Sequence, residues 1–167
     1  KQYWVGAEAT YSASSSVTDS AAGGTALSTG KKTTNKYIGV TPDGVPIANI
    51  LEASQRAGKN TGIVVTSQWT DATPATFSAH DMSRYDGEPM MAQQMVNQGI
   101  DVLLGTTKTE YNSYSFHTDE YLEGKGYEVI KSKTELSSVK PGDRLWSKFS
   151  IRPNQDIGNQ ALSPTIV

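Results

Sequence analysis

The feature that most restricts how this chain can fold is the alternation of helix-like and strand-like stretches between Pro46 and Leu104. From Pro46, the apolar residues Ile47, Ile50, Leu51 and Ala57 recur at helical spacing, with a proline near the start and Gly58 just past the end. Thr61 to Thr66 then gathers Ile63, Val64 and Val65, β-branched side chains that suit a buried strand. Pro74 to Asp81 reads as a short helix. Met90, Met91, Gln94, Met95 and Gln98 mark another, closed by Gly99, and Ile100 to Leu104 is a second apolar strand. Helix, strand, helix, strand is the pattern of βαβ units, so the expected class is α/β on a mainly parallel sheet.

Upstream, Ser20 to about Lys32 is rich in alanine and other small residues, and Asp19 or Ser20 is suited to cap a helix start. Gly23, Gly24 and Gly30 weaken that helix and imply close packing of its backbone. Beyond Gly105 the pattern loosens. A polar loop at Thr106 to Asp119 leads to a short helix near Glu120, a strand at Tyr127 to Lys131, a helical turn at Thr134 to Val139 and a strand at Arg144 to Phe149. The polar tail carries Ser163-Pro164-Thr165, which has the form of a helix cap with no helix after it, so the end reads as a cut. The expected organisation is one partial domain over 1–167, with 1–105 as its core and 106–167 as a peripheral loop with short strands.

The 167 residues fit one domain able to bury a core. Fifteen basic against seventeen acidic residues give a net charge of -2, so no basic field recruits nucleic acid. Trp4, Trp69 and Trp146 lack the interleaved cations of a nucleic-acid platform and are expected in the core or in pocket walls. No window approaches the roughly 18 consecutive apolar residues that a membrane span needs, and no charged-then-apolar leader precedes the first residues. Lys1 rather than Met opens the chain, which suggests processing or trimming. The absence of cysteine excludes disulfides and thiolate ligands.

Several residues carry candidate chemistry. Ser20 is placed to cap a helix, and the same position gives its hydroxyl the positive end of that helix, which favours an alkoxide or a bound phosphate. Arg84 is either a solvated arginine or a clamp whose paired donors match two phosphate oxygens. Asp71 and Thr73 offer oxygens two residues apart after a strand, suited to a hard cation such as magnesium, although Asp71 could equally cap the helix that follows. Asp43-Gly44 is a turn. Gly24 to Lys31 imitates a phosphate-cradling loop, but its glycine spacing is one residue too long and Lys32 stands where Ser or Thr is required. No Gly-x-Ser-x-Gly elbow occurs, and neither His80 nor His117 is marked as a base for Ser20.

The segments Val17-Thr18-Asp19-Ser20-Ala21-Ala22 and Asp71-Ala72-Thr73-Pro74-Ala75, followed by His80-Asp81-Met82-Ser83-Arg84, resemble the nucleophile half of the alkaline phosphatases. The resemblance is specific over Val17 to Thr29 and Thr66 to Arg84 and looser through Gly105. It implies a three-layer αβα fold with a mainly parallel sheet, here truncated, and a phosphate-monoester hydrolase acting through a phosphoseryl intermediate. Ser20 would be the nucleophile and a zinc ligand, Arg84 the phosphate clamp, and Ser20, Arg84 and Asp19 together the phosphate-binding residues. Asp71 would bind magnesium through water, where some relatives carry histidine, and Thr73 would bind it directly. Two zinc ions, a small phosphate-monoester substrate, a periplasmic or extracellular location and a homodimer follow as expectations. The family's other metal ligands, an Asp before the nucleophile and Glu, Asp and His residues from the C-terminal half, have no counterpart in these 167 residues. The remainder of a parent chain is therefore an expected partner, and this chain alone is expected to be inactive. His80 matches a structural histidine of the family, and His117 has no ligand partner at useful spacing. Two other readings remain: a sulfatase- or phosphodiesterase-type hydrolase of the same superfold, and a non-catalytic α/β phosphate-binding module.

Overall fold

A computed structural model describes residues 6, 8–107, 111 and 113–148. Its centre is a four-stranded sheet of β1 (Gly62–Gln68), β2 (Val102–Thr106), β3 (Tyr127–Ile130) and β4 (Arg144–Ser147). The strands lie in the order β1-β2-β4-β3, and every pair is parallel. Parallel strands need crossover connections: α3 (Ala72–Ala75) and α4 (Glu88–Gln98) lie between β1 and β2, α5 (Asp119–Gly124) between β2 and β3, and a 3-10 turn (Glu135–Ser138) between the neighbours β3 and β4. Helices α1 (Ser20–Thr29) and α2 (Ile50–Arg56) precede the sheet. The α/β class expected from the alternation is the architecture observed. No described helix is long and apolar enough to cross a membrane.

Each helix starts and stops for a local reason. Asp19, not Ser20, caps α1: its Oδ1 accepts from the Ala22 amide at 2.9 Å, and Gly30 ends the helix with φ +72°. The helix therefore stops at Thr29, short of Lys32. Its inward face carries Ala21, Ala22, Gly24, Thr25 and Ser28, so no large side chain holds it off its neighbour. A Cβ on Gly24 would lie 2.5 Å from Thr76 Oγ1, and Ser28 Oγ donates to the Thr76 carbonyl at 2.7 Å. Small residues thus let α1 pack directly on the α3 segment.

Helix α2 begins at Ile50 rather than at Pro46, because Asn49 and Glu52 form a reciprocal capping box (3.0 and 2.9 Å). Pro46 belongs instead to an antiparallel bridge with Val40. The expected helix over Pro74 to Asp81 is one turn beginning at Ala72, and Asp81 lies in a bridge to Ile38. Strand β1 runs on to Gln68: its register with β2 slips between Val64 and Gln68, which kinks the strand end from which Asp71 and Thr73 emerge.

The core gathers Ile63, Leu103, Met91, Met95, Val96, Ile100 and Leu122 around Trp69 and Trp146, both fully buried with ring centroids 5.1 Å apart. Removing either indole should cost about 3–5 kcal/mol. The stretch from Thr106 to Asp119 is not the polar loop its composition implies. Tyr111 and His117 are buried there, at 5.3 and 5.7 Å from the Trp69 ring, and a 3-10 turn spans Ser115–His117. The strand expected to reach Phe149 is observed to Ser147; Phe149, Trp4 and Ser163 to Thr165 lie outside the described residues.

Candidate active site

Ser20 is the first residue of α1, exposed at the end where helix N–H groups lack intrahelical acceptors. Arg84 comes from the loop between α3 and α4. Its Nη1 donates to Ser20 Oγ at 2.6 Å, which joins residues 64 apart in sequence. The guanidinium stands 3.8 Å from Asp19 Oδ2, too long for a hydrogen bond, and both side chains keep about a fifth to a quarter of their surface exposed. Asp19 Oδ1 is engaged by the Ala22 amide and Oδ2 by the Lys36 amide, at 2.9 Å each. The carboxylate is thereby held by backbone donors beside the arginine. A guanidinium with donors left over, next to a hydroxyl at a helix N-terminus, can receive a tetrahedral oxyanion.

The loop carrying Arg84 is fixed along its length. Ile38 and Asp81 exchange two backbone hydrogen bonds (2.8 and 2.9 Å), and the Arg84 amide donates to the Lys36 carbonyl at 2.9 Å. His80 Nδ1 lies 2.7 Å from the Gly39 carbonyl and Nε2 lies 3.0 Å from Glu52 Oε1, so neither ring nitrogen is left for a metal. This agrees with its expected structural place. Gly39 has to be glycine: its φ is +58°, and a Cβ would meet the Ala79 carbonyl at 2.3 Å. Asp43-Gly44 is the expected turn, with Gly44 at φ +82°.

Asp71 and Thr73 belong to the α3 segment, on which α1 packs. Both are exposed at the start of α3, where Asp71 occupies the N-cap position: its carbonyl accepts from the Ala75 amide at 2.9 Å while its side chain makes no cap bond. Among the described residues no hydrogen bond or ion pair joins either to Ser20, Asp19 or Arg84. A carboxylate and a hydroxyl suit magnesium in kind but not in number, since hard cations take about six oxygens. Among the described residues no three His, Asp or Glu side chains converge to hold a metal ion, so zinc does not fit on these residues alone.

Sequence reasoning missed Asn35 and Lys36, which wire the cluster together. Asn35 Oδ1 accepts from the Asp19 amide at 3.3 Å and its Nδ2 donates to the Val17 carbonyl at 3.0 Å. Lys36 has φ +74°. An Asn next to a sharp turn was the signal available. His117, expected in a solvated loop, is buried and accepts from Trp146 Nε1 at its Nε2 (3.1 Å). Burial, then the nearby Lys148 charge, lower its pKa from 6.5 to about 4.

The fold and site define an α/β protein with a parallel sheet and a helix whose first residue, a serine, is bonded to an arginine distant in sequence. Comparison with known proteins narrows that class. The profile of the family described as Alkaline phosphatase matches residues 1–138, and the chain belongs to that family. It is 39% identical over 151 residues to alkaline phosphatase 3 of Bacillus subtilis, covering 86% of this chain and 33% of that protein. With alkaline phosphatase 4 of the same organism it shares 38% over 129 residues, covering 74% of this chain and 28% of the relative. The cold-active alkaline phosphatase of a psychrophilic Shewanella superimposes with a TM-score of 0.77 at 36% identity, over 84% of this chain and 35% of that one. The chain therefore spans about a third of the length of the relatives it matches. A solved structure of the TAB5 alkaline phosphatase, with aspartate replacing a histidine, holds Mg and superimposes with a TM-score of 0.75 at 33% identity, over 84% of this chain and 41% of that one.

Proposed function

We propose that this chain carries the nucleophile and the phosphate-holding part of a metal-dependent phosphate-monoester hydrolase. The observation that carries the reading is the 2.6 Å bond from Arg84 Nη1 to Ser20 Oγ, which supports reading the hydroxyl at the helix N-terminus as the nucleophile and the guanidinium as its oxyanion partner. In the proposed reaction Ser20 Oγ attacks phosphorus and the ester P–O bond breaks. The alcohol leaves with a proton, and a phosphoserine remains. Water then attacks that phosphorus, the Oγ–P bond breaks, and phosphate and the serine hydroxyl are regenerated. Arg84 orients two phosphate oxygens through both steps, and Asp19 steadies the arginine without competing for its donors.

Zinc and magnesium, when bound, would supply charge neutralisation at the attacking and leaving oxygens. Asp71 and Thr73 are the proposed magnesium residues and Ser20 a proposed zinc residue; the support is the family and, for magnesium, the chemistry of the two oxygens. The remaining donors would come from the rest of a parent chain. An exported, periplasmic or extracellular location and a homodimer belong to the same proposal, as does a division into a 1–105 core and a 106–167 periphery.

A colourimetric phosphatase assay with added zinc and magnesium tests it. The isolated chain should turn over little or no p-nitrophenyl phosphate, while a complete parent enzyme should be active and lose that activity with Ser20→Ala. Robust turnover by this chain alone, abolished by Ser20→Ala, would overturn the claim that it is catalytically incomplete. Parent activity that survives Ser20→Ala would remove Ser20 from the mechanism.

A further inference from the structure

Asp19 and Arg84 are joined through a single residue that offers both of them its backbone. The Lys36 amide donates to Asp19 Oδ2 at 2.9 Å, and the Lys36 carbonyl accepts from the Arg84 amide at 2.9 Å. Because Asp19 adjoins Ser20 in sequence and Arg84 bonds Ser20 Oγ, these contacts close a circuit around the candidate phosphate site. The two backbone groups belong to adjacent peptide units, whose relative orientation is set by the φ and ψ of Lys36, with φ at +74°.

Lys36 is the one non-glycine residue at positive φ among the described residues. A side chain with a Cβ is crowded there, and such a conformation persists only where its surroundings hold it. Here they do: the Asn35 amide donates to Ser14 Oγ at 2.9 Å, the Asn35 side chain bridges to Asp19 and Val17, and the Ile38–Asp81 bridge follows at once. The lysine side chain itself is exposed. An Arg beside an Asp ordinarily closes into a paired, two-bond contact. That contact is not made: one amide sits on each Asp19 oxygen at 2.9 Å, and the guanidinium stands 3.8 Å from Oδ2.

We propose that Lys36 is a positioning residue for the phosphate site, acting through its positive-φ backbone and not through its ammonium. The turn at Lys36 draws the Asp19 carboxylate onto an amide and anchors the Arg84 main chain, so the arginine fork stays open for a phosphate instead of folding onto Asp19. This rests on the reading of Ser20 and Arg84 as the pair that handles phosphate.

The test is a titration of this chain with inorganic phosphate, followed by phosphorus NMR, for Lys36→Gly, Lys36→Ala and Lys36→Val, with Arg84→Ala as the reference loss. Glycine accepts positive φ and β-branched valine resists it most, so Lys36→Gly should keep phosphate affinity within about twofold, Lys36→Ala should weaken it by about threefold and Lys36→Val by about tenfold. Amide exchange at Arg84 should accelerate in the same order. Equal loss in Lys36→Gly and Lys36→Val would assign the effect to the ammonium and overturn the proposal, as would a flat series in a chain that still depends on Arg84. If Lys36→Val does not fold, Lys36→Gly against Lys36→Ala decides. Phosphate binding untouched by Arg84→Ala would overturn the underlying reading, and the positioning role with it.

Discussion

Two clusters in this chain set a carboxylate against cations, and they are built to opposite ends. Around Asp19, backbone amides hold both carboxylate oxygens, and the arginine beside it gives one donor to Ser20. Around Asp119, two lysines take the carboxylate directly: Lys148 Nζ reaches Oδ1 at 2.6 Å and also bonds the His117 carbonyl, while Lys131 bonds Oδ2. The second cluster uses its charges on one another and ties the His117–Asp119 segment to the residues that follow β3 and β4. The first leaves cationic donors facing solvent beside a hydroxyl. A carboxylate held by amides keeps an arginine in place without consuming it, whereas a carboxylate held by ammonium groups is a staple.

The largest expected effect belongs to the staple side. Unfolded His117 takes up a proton near pH 6.5, the folded ring only near about 4, so the unfolded state binds more protons across that window. The stability contribution is complete above pH 6.5, falls as the pH drops through the window and levels off below its end. The loss should be about 3 kcal/mol. Urea midpoints at pH 7.5 and 4.5 measure it, and His117→Gln, which retains an acceptor for Trp146, should flatten the dependence. A pH-independent midpoint in the unmodified chain would show that the ring is not held neutral by its burial.

On the open side, Arg84→Ala should weaken inorganic phosphate binding by about tenfold to a hundredfold, the range expected for a charge-assisted, two-pronged contact. Calorimetric titration of this chain measures it. Arg84→Lys should recover only part of the loss, because an ammonium cannot present the planar fork. Full recovery would reduce the site to a point charge and bring it closer in kind to the lysine staple.

A smaller effect tests the staple directly. Lys131 first, and then Lys148, hold the Asp119 carboxyl down from 3.8 to about 2. A carboxylate with a depressed folded pKa contributes stability above its unfolded value, and that contribution is lost as the pH falls from 3.8 toward about 2. More than a third of the side chain is exposed, at 38%, so solvent screens most of the pairing. Asp119→Asn should therefore lower stability at pH 7 by roughly 1 kcal/mol, and 1 M salt should remove most of the difference. Its acid window lies below that of His117, which lets one pH series separate the two.

What could be seen in the sequence, and what could not, follows the same division. The α/β alternation, a helix cap at Asp19 or Ser20 and the closing Gly99 were legible because each is written in local residue chemistry, although only the structure assigns the cap to Asp19. The Ser20–Arg84 pairing was legible only through the family motifs, since nothing in spacing alone brings residues 64 apart together. Lys36 was invisible because it acts through its main chain, which every residue possesses. The start of α2 was misplaced because Pro46 outweighed the Asn49-x-x-Glu52 signature that sets it. His117 was misread because the Thr106 to Asp119 stretch is polar by composition, while Tyr111 and His117 pack on Trp69 and Trp146 without any helical or strand period.

The smallest expected effect sets the limit of what the open cluster does alone. Asp71 is exposed, its side chain makes no cap bond at the head of α3, and among the described residues no hydrogen bond or ion pair links it to Ser20 or Arg84. If phosphate is held by Arg84 and the α1 N-terminus, Asp71→Asn should change this chain's phosphate affinity by less than about twofold, the scale of a surface charge seen across solvent. Magnesium should bind this chain only weakly, in the millimolar range or above, because one carboxylate and one hydroxyl are roughly a third of the oxygens it needs. In a complete parent enzyme the same substitution should become severe, since Asp71 would there share its cation with ligands from elsewhere. A loss of phosphate binding in Asp71→Asn as large as that in Arg84→Ala would join the two halves already in this chain. The contrast between the proposed oxyanion holder and an incomplete cation site would then have to be given up.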